Sequence, residues 1–204
     1  LLDRIELPLA DVLAKMEITG IKVSGGVLSE IGLENEQVLK GLTEEIYELA
    51  GEPFNINSPK QLGVILFEKM GLPVIKKTKT GYSTAVDVLE QLAPQAPIVD
   101  KILKFRQVSK IQSTYVTGLL GEIMSDGKIH TRYVQDLTQT GRLSSVQPNL
   151  QNIPVRLPEG RKIRKAFLPE NEDSVLLSSD YSQIELRVLA HISGDEHLIS
   201  AFNE

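Results

Sequence analysis

The sequence of 204 residues contains no cysteine. Disulfides and thiolate metal sites are therefore excluded, and a reducing cytoplasm is compatible with the chain though not required by it. No apolar run approaches the roughly 20 residues that span a bilayer, so no membrane partner is expected. No secretory leader is legible either, because Asp3, Arg4 and Glu6 interrupt any apolar segment at the start. There is no internal repeat and no low-complexity tract.

What is present is ordinary globular composition, 41 % hydrophobic and 24 % charged, in a length that allows one large domain or two small ones. The net charge of −5 argues against a nucleic-acid binder, but its distribution argues the other way: residues 1–50 carry −6, residues 51–165 carry +8 and residues 166–204 carry −7. A basic middle between acidic flanks suits a polyanion-binding surface beside a cation-binding site, and equally a solvated helical face of uneven charge.

The first 125 residues read as helical. A short amphipathic helix, Leu9–Met16, precedes a turn at Gly20 and a strand Ile21–Val23. A helix from about Leu28 to Ala50 follows, its apolar positions Val38, Leu39, Leu42, Ile46 and Leu49 at helical spacing, stopped by Gly51 and Pro53. Ser58, Pro59 and Gln61 form a helix-start signature, and that helix ends at Gly71. A polar, basic loop covers Lys76–Gly81, and Ser83-Thr84 caps a short helix to about Leu92. The series Ile98, Ile102, Phe105, Val108, Gln112, Tyr115, Leu119, Ile123 predicts a long helix. After the Asp126-Gly127 turn the pattern changes: Lys128–Leu137 and Val175–Ser179 read as strands, the second buried, and Ser182–Ile192 as a helix. The expected class is α+β.

Three features carry chemistry. The first is Asp180-Tyr181-Ser182-Gln183-Ile184-Glu185-Leu186-Arg187. A carboxylate at the end of a buried strand, with a main-chain carbonyl beside it, offers the hard oxygen donors that Mg²⁺ prefers. The plain alternative is an acid at a helix N-terminus, with Ser182 and Glu185 as a capping box and Arg187 as a structural partner of either acid. The second is the turn-rich stretch 140–156, which places Arg142, Asn149, Gln151, Asn152 and Arg156 within 15 positions. These donors could meet phosphates or base-edge acceptors, or could satisfy the loop's own backbone. The third is a basic series: Lys76, Lys77, Lys79, Lys101, Lys104, Arg106, Lys110, Arg161, Lys162, Arg164 and Lys165. Such charge serves phosphate binding or a solvated face.

Together these segments resemble the family A DNA polymerases of the bacterial DNA polymerase I type. DYSQIELR followed by Val188-Leu189-Ala190-His191 is similar to the family's motif A. TGRLSS, PNLQNIPVR and the run Gly160–Lys165 are similar to its primer–template motif, while Phe54–Pro73 and Lys104–Val116 resemble the thumb helices. The resemblance covers nearly the whole chain, in the family's order. It implies an incomplete right-hand polymerase fold: a palm-entry segment at 1–27 after an exonuclease-like domain, a helical thumb at 28–125 and the N-terminal part of an antiparallel-sheet palm at 126–204.

The resemblance also implies roles. Asp180 is one of two carboxylates for a catalytic Mg²⁺ pair, aided by the Tyr181 carbonyl; Gln183 lies near the incoming dNTP and Glu185 against its sugar. Arg142 reaches the minor groove at the primer end, and Asn149, Gln151, Asn152 and Arg156 contact primer–template. Ser83, Thr84, Arg106, Lys110 and Ser113 grip duplex phosphates. The implied reaction is attack of a primer 3′-hydroxyl on the α-phosphorus of a dNTP with release of pyrophosphate, in DNA replication and repair in a bacterial cytoplasm at the nucleoid; the metals would form a two-metal clamp. The fingers helix and the His-Asp-Glu motif of the family are not among these residues. The chain is accordingly expected to be a piece of a longer polypeptide, inactive in primer extension alone and prone to self-association. A non-catalytic module that binds duplex DNA is the alternative.

Overall fold

The computed structural model describes residues 1–79, 81–154 and 158–203. They form two units, Leu1–Glu170 and Asn171–Glu204.

In the first unit a π-helical turn Leu2–Glu6 leads into α1 (Leu7–Thr19). Gly20, at φ 61°, breaks the helix, and β1 (Ile21–Val23) follows. Helix α2 (Gly25–Ala50) is capped at its start by Ser24, whose Oγ accepts from the Val27 N–H at 3.2 Å, and is closed by Gly51 at φ 77°. α3 (Pro59–Gly63) continues as wider π-type turns to Lys69. Its start follows the sequence signature: Ser58 Oγ accepts from Gln61 N–H, while Gln61 Oε1 reaches back to accept from Asn55 N–H at 2.8 Å. β2 (Lys77–Thr78) and β3 (Gly81–Tyr82) pair as an antiparallel ribbon where a loop was expected. α4 (Val86–Leu92) has Ala85 at its N-cap rather than Ser83 or Thr84. The long helix is α5 (Pro97–Lys110), running on through π-type turns Ile111–Thr117 into α6 (Gly118–Leu120).

The expected strand Lys128–Leu137 is divided. β4 (Lys128–Ile129) joins a three-stranded antiparallel sheet in the order β4-β1-β7, with Ile21 opposite Ile129 and Val23 opposite Phe167 of β7 (Phe167–Leu168). β5 (Arg132–Val134) instead pairs with β6 (Ser144–Val146), a strand within the turn-rich stretch. His130 and Thr131 are the crossover between the two sheets. Lys22 faces Lys128 across the first sheet, a like-charge pairing that destabilises. Glu170 offsets it: its carboxylate pairs with Lys128 at 2.7 Å and its carbonyl accepts from Lys22 Nζ at 2.9 Å.

Two apolar cores result. One gathers Leu42 and Ile46 of α2 with Leu62, Leu66, Leu89 and Ile102. The other gathers Leu28 and Ile31 of α2 with Tyr115, Val116, Ile129 and Ile163, the last from α7 (Pro158–Arg164). Helix α2 and the helix 97–120 serve both. Val38 and Leu49, two of the apolar positions at helical spacing, are exposed.

The second unit is a helical hairpin, α8 (Ile184–Ser193) and α9 (Glu196–Asn203), turning at Gly194 with φ 64°. Asp195 Oδ1 caps α9 by accepting from Leu198 N–H at 2.8 Å. The expected buried strand Val175–Ser179 is not formed. Val175 is 85 % exposed and Leu177 89 %, and no described strand pairs with the segment. An apolar run becomes a strand only where a partner takes its N–H and C=O groups.

Candidate functional site

The turn-rich stretch is organised from within. The β5–β6 ribbon carries it, Tyr133 opposite Ser145, and Gln147 takes φ 53° ahead of Pro148. Gln151 spends both ends of its amide on the loop: Oε1 accepts from Ser145 N–H and Nε2 donates to Leu143 O, each at 3.3 Å. Asn149 Oδ1 accepts from Gln151 N–H at 2.9 Å. The self-satisfying reading of these side chains therefore applies to Gln151 and to one end of Asn149. Arg142, Asn149 and Asn152 are exposed; the Arg142 carbonyl accepts from the Thr138 hydroxyl at 2.6 Å. Arg156 lies outside the described residues.

The loop is fastened to the long helix. Tyr115 Oη–H donates to the Asn152 carbonyl at 2.5 Å. A depression of ≈ 590 Å³ beside this bond is lined by Lys110, Asn149 and Asn152 among others. Candidate residues from two separate stretches of sequence, Lys110 and the 140–156 loop, thus come together. Ser113, one turn on from Lys110, is exposed, but its hydroxyl is turned back to the Ser109 carbonyl at 2.9 Å.

Ser83, Thr84 and Arg106 also converge, around a second depression of ≈ 480 Å³, but Arg106 faces Thr84 and the Ser83 hydroxyl accepts from Ala85 N–H at 3.4 Å. Ser83 and Thr84 are buried. The Arg106 guanidinium donates to the Thr84 carbonyl and to Thr84 Oγ1. Burial lowers the Arg106 pKa from its ordinary value, yet a guanidinium remains charged in proteins. Its fork therefore fixes the chain entering α4.

Three members of the basic series are paired with acids. Lys104 pairs with Glu159, Lys101 with Glu45 at 2.5 Å and Lys162 with Glu34 at 2.5 Å. Lys104, helped by a hydrogen bond from Gln107 Nε2 to Glu159 Oε2 at 3.1 Å, holds the Glu159 carboxyl below its ordinary range. The acidic partners lie 55 to 128 residues away in sequence, beyond the reach of a local pattern. For Lys101, Lys104 and Lys162 the ion pairs favour the solvated face over phosphate binding.

In the second unit, residues 175–189 are all exposed. Asp180, Tyr181, Gln183 and Glu185 lie in or beside the segment entering α8, with Gln183 at φ 52° as its N-cap. The capping-box start at Ser182 does not form. Arg187 is structural: Nε donates to Ser182 O at 2.9 Å, Nη1 to Phe202 O at 3.4 Å, and its guanidinium lies 4.8 Å from the Phe202 ring centroid. Asp180 has the donor chemistry a hard cation takes, an accessible carboxylate with a main-chain carbonyl next to it. Among the described residues no group of three or more His, Asp or Glu side chains is arranged to hold a metal ion. The fit is to a single ligand residue and not to a complete metal seat. Nor is any described helix long and apolar enough to cross a membrane.

The α+β fold is that of a polymerase domain. It superposes with a TM-score of 0.89 on a solved structure described as the POL domain of Pol1 from M. smegmatis in complex with DNA primer-template and dNTP, at 43 % identity over 98 % of this chain and 35 % of that one. Residues 26–204 match the model of DNA polymerase family A, and the chain belongs to that family. DNA polymerase I of Lactococcus lactis subsp. lactis is 78 % identical over 202 residues, 99 % of this chain and 23 % of that protein. DNA polymerase I of Streptococcus pneumoniae serotype 4 is 75 % identical over 206 residues, 100 % of this chain and 24 % of that protein. The chain spans about a quarter of the length of these curated relatives.

Proposed function

We propose that this chain is the thumb (28–125) and first palm segment (126–204), after a palm-entry segment (1–27), of a DNA-directed DNA polymerase. The intact protein would add dNTPs to a primer 3′-hydroxyl during bacterial DNA replication and repair, in the cytoplasm at the nucleoid. The observation that carries this reading is the convergence of Lys110, Asn149 and Asn152 on one surface, in a family A fold whose solved neighbour was determined with primer-template and dNTP.

On this reading the exposed groups meet DNA and the buried ones aim them. Lys110 would contact phosphate. Arg142, Asn149, Asn152 and Arg156 would donate to the minor-groove side of the primer–template, where purine N3 and pyrimidine O2 are acceptors. Ser83, Thr84, Arg106 and Gln151 would act chiefly by holding main chain in place, given their internal hydrogen bonds. Ser113 would reach phosphate after its hydroxyl leaves the Ser109 carbonyl. Gln183 would lie by the incoming dNTP and Glu185 against its sugar.

Asp180 and the Tyr181 carbonyl are the donors this chain would supply to Mg²⁺. Bound there, the metal would stabilise charge on the transferring phosphate. The test is Asp180→Asn in the full-length protein: templated extension should fall by about 10²–10³-fold, as for loss of a principal electrostatic group, while primer–template affinity holds. Undiminished extension by that variant would remove Asp180 from the reaction.

A further inference from the structure

Behind the amide-rich loop lie two buried hydroxyls that have no part in the DNA contacts above. Thr131 is 6 % exposed and Ser145 1 %. Thr131 Oγ1 and Ser145 Oγ are 2.6 Å apart. Thr131 Oγ1 also lies 2.8 Å from the Pro148 carbonyl and 3.1 Å from that of Val146. Ser145 Oγ accepts from Leu150 N–H at 3.1 Å and lies 3.2 Å from the Pro148 carbonyl.

Each hydroxyl has one proton. The shortest contacts are used if Ser145 donates to Thr131 and Thr131 donates to Pro148. The order is then Leu150 N–H, Ser145 hydroxyl, Thr131 hydroxyl, Pro148 carbonyl, a directional relay in which each bond polarises the next. Its two ends hold the main chain on either side of Asn149. With Asn149 Oδ1 engaged by Gln151 N–H, the amide orientation is fixed and Nδ2 is the end left for an outside acceptor.

We propose that Thr131 and Ser145 are positioning residues for primer–template recognition: their hydroxyl relay fixes residues 148–150 and so aims the Asn149 amide at a minor-groove acceptor. This inference rests on the DNA-binding reading of the loop.

The experiment measures affinity of the full-length protein for two primer–templates, one natural and one with 3-deazapurines in the base pairs behind the primer terminus, where C–H replaces the N3 acceptor and the Arg142 contact at the primer end is left intact. The wild type should bind the deaza duplex about tenfold more weakly, the worth of one good hydrogen bond. Thr131→Val keeps shape and removes the hydroxyl; its penalty should shrink to about twofold or less. Thr131→Ser restores the hydroxyl and should restore the tenfold penalty. Where Thr131→Val does not fold, Ser145→Ala breaks the relay from its other end and is judged by the same ratio. A full penalty retained by Thr131→Val overturns the proposal, as does a Thr131→Ser that behaves like valine. A merely structural role would weaken binding of both duplexes alike, leave the ratio intact, and overturn it too. A wild type with no penalty overturns both this inference and the loop's reading as a DNA contact.

Discussion

Gly160 sits inside α7, a place where alanine ordinarily stabilises a helix by about 0.5–1 kcal/mol. Here an added Cβ would fall 2.2 Å from the Pro154 carbonyl oxygen and 2.6 Å from Pro154 Cβ. Neither can yield as a flexible side-chain end would, so overpacking of about 1–3 kcal/mol governs. Gly160→Ala is expected to lower the unfolding free energy in urea denaturation, against the usual sign. His130 poses a second single-residue question. Its Nδ1 faces the Glu17 carbonyl at 2.7 Å and its Nε2 faces Asp126 Oδ2 at 3.0 Å. Two acceptors require two N–H donors, so the Glu17 carbonyl, and then Asp126, raise the His130 pKa, while His130 lowers that of Asp126. The raised histidine stabilises below its unfolded value of about 6.5, and that contribution is lost as pH climbs through the native value. The depressed carboxyl contributes above its unfolded value and is lost as pH falls through its native one. Thermal melts from about pH 6 to about pH 9 should show a falling Tm in the wild type and a shallower fall in His130→Gln.

Among the elements, α2 shows both what a sequence yields and what it conceals. Its helical period is plain in Leu42 and Ile46, and so is its stop at Gly51. Its start is not: Ser24 is the N-cap, a residue that Ser-Gly-Gly-Val could have flagged through the ordinary preference for serine there. Ser24→Ala should cost about 0.5–2 kcal/mol in urea denaturation. Strands were harder to read. A two- or three-residue strand such as β6 has no room to display alternation, and 175–177 displays hydrophobicity with no described strand to pair with. In the candidate site, residue types were legible and hydrogen-bonding commitments were not. Nothing local distinguishes Lys110, which is exposed beside Asn149, from Lys104, which is bound to Glu159.

At the scale of the whole molecule that distinction becomes measurable. Counterion release gives each phosphate contact about 0.9 of slope in log affinity against log salt. If Lys110 meets a phosphate, Lys110→Ala should lower the slope for duplex binding by about 1. Lys101→Ala removes a cation already matched by Glu45 and should leave it nearly unchanged. A binding titration between low and moderate salt decides it.

The two cores share their walls. The rod of α2 supplies Leu28 to one and Ile46 to the other, and the rod 97–120 supplies Leu119 and Ile102 likewise. Neither core can come apart while both rods stay seated, so the first unit has no independent weak half between its ends. Amide protons near Leu28 and near Ile46, more than two dozen ångströms apart along the helix at about 1.5 Å per residue, should exchange with solvent through one shared opening event.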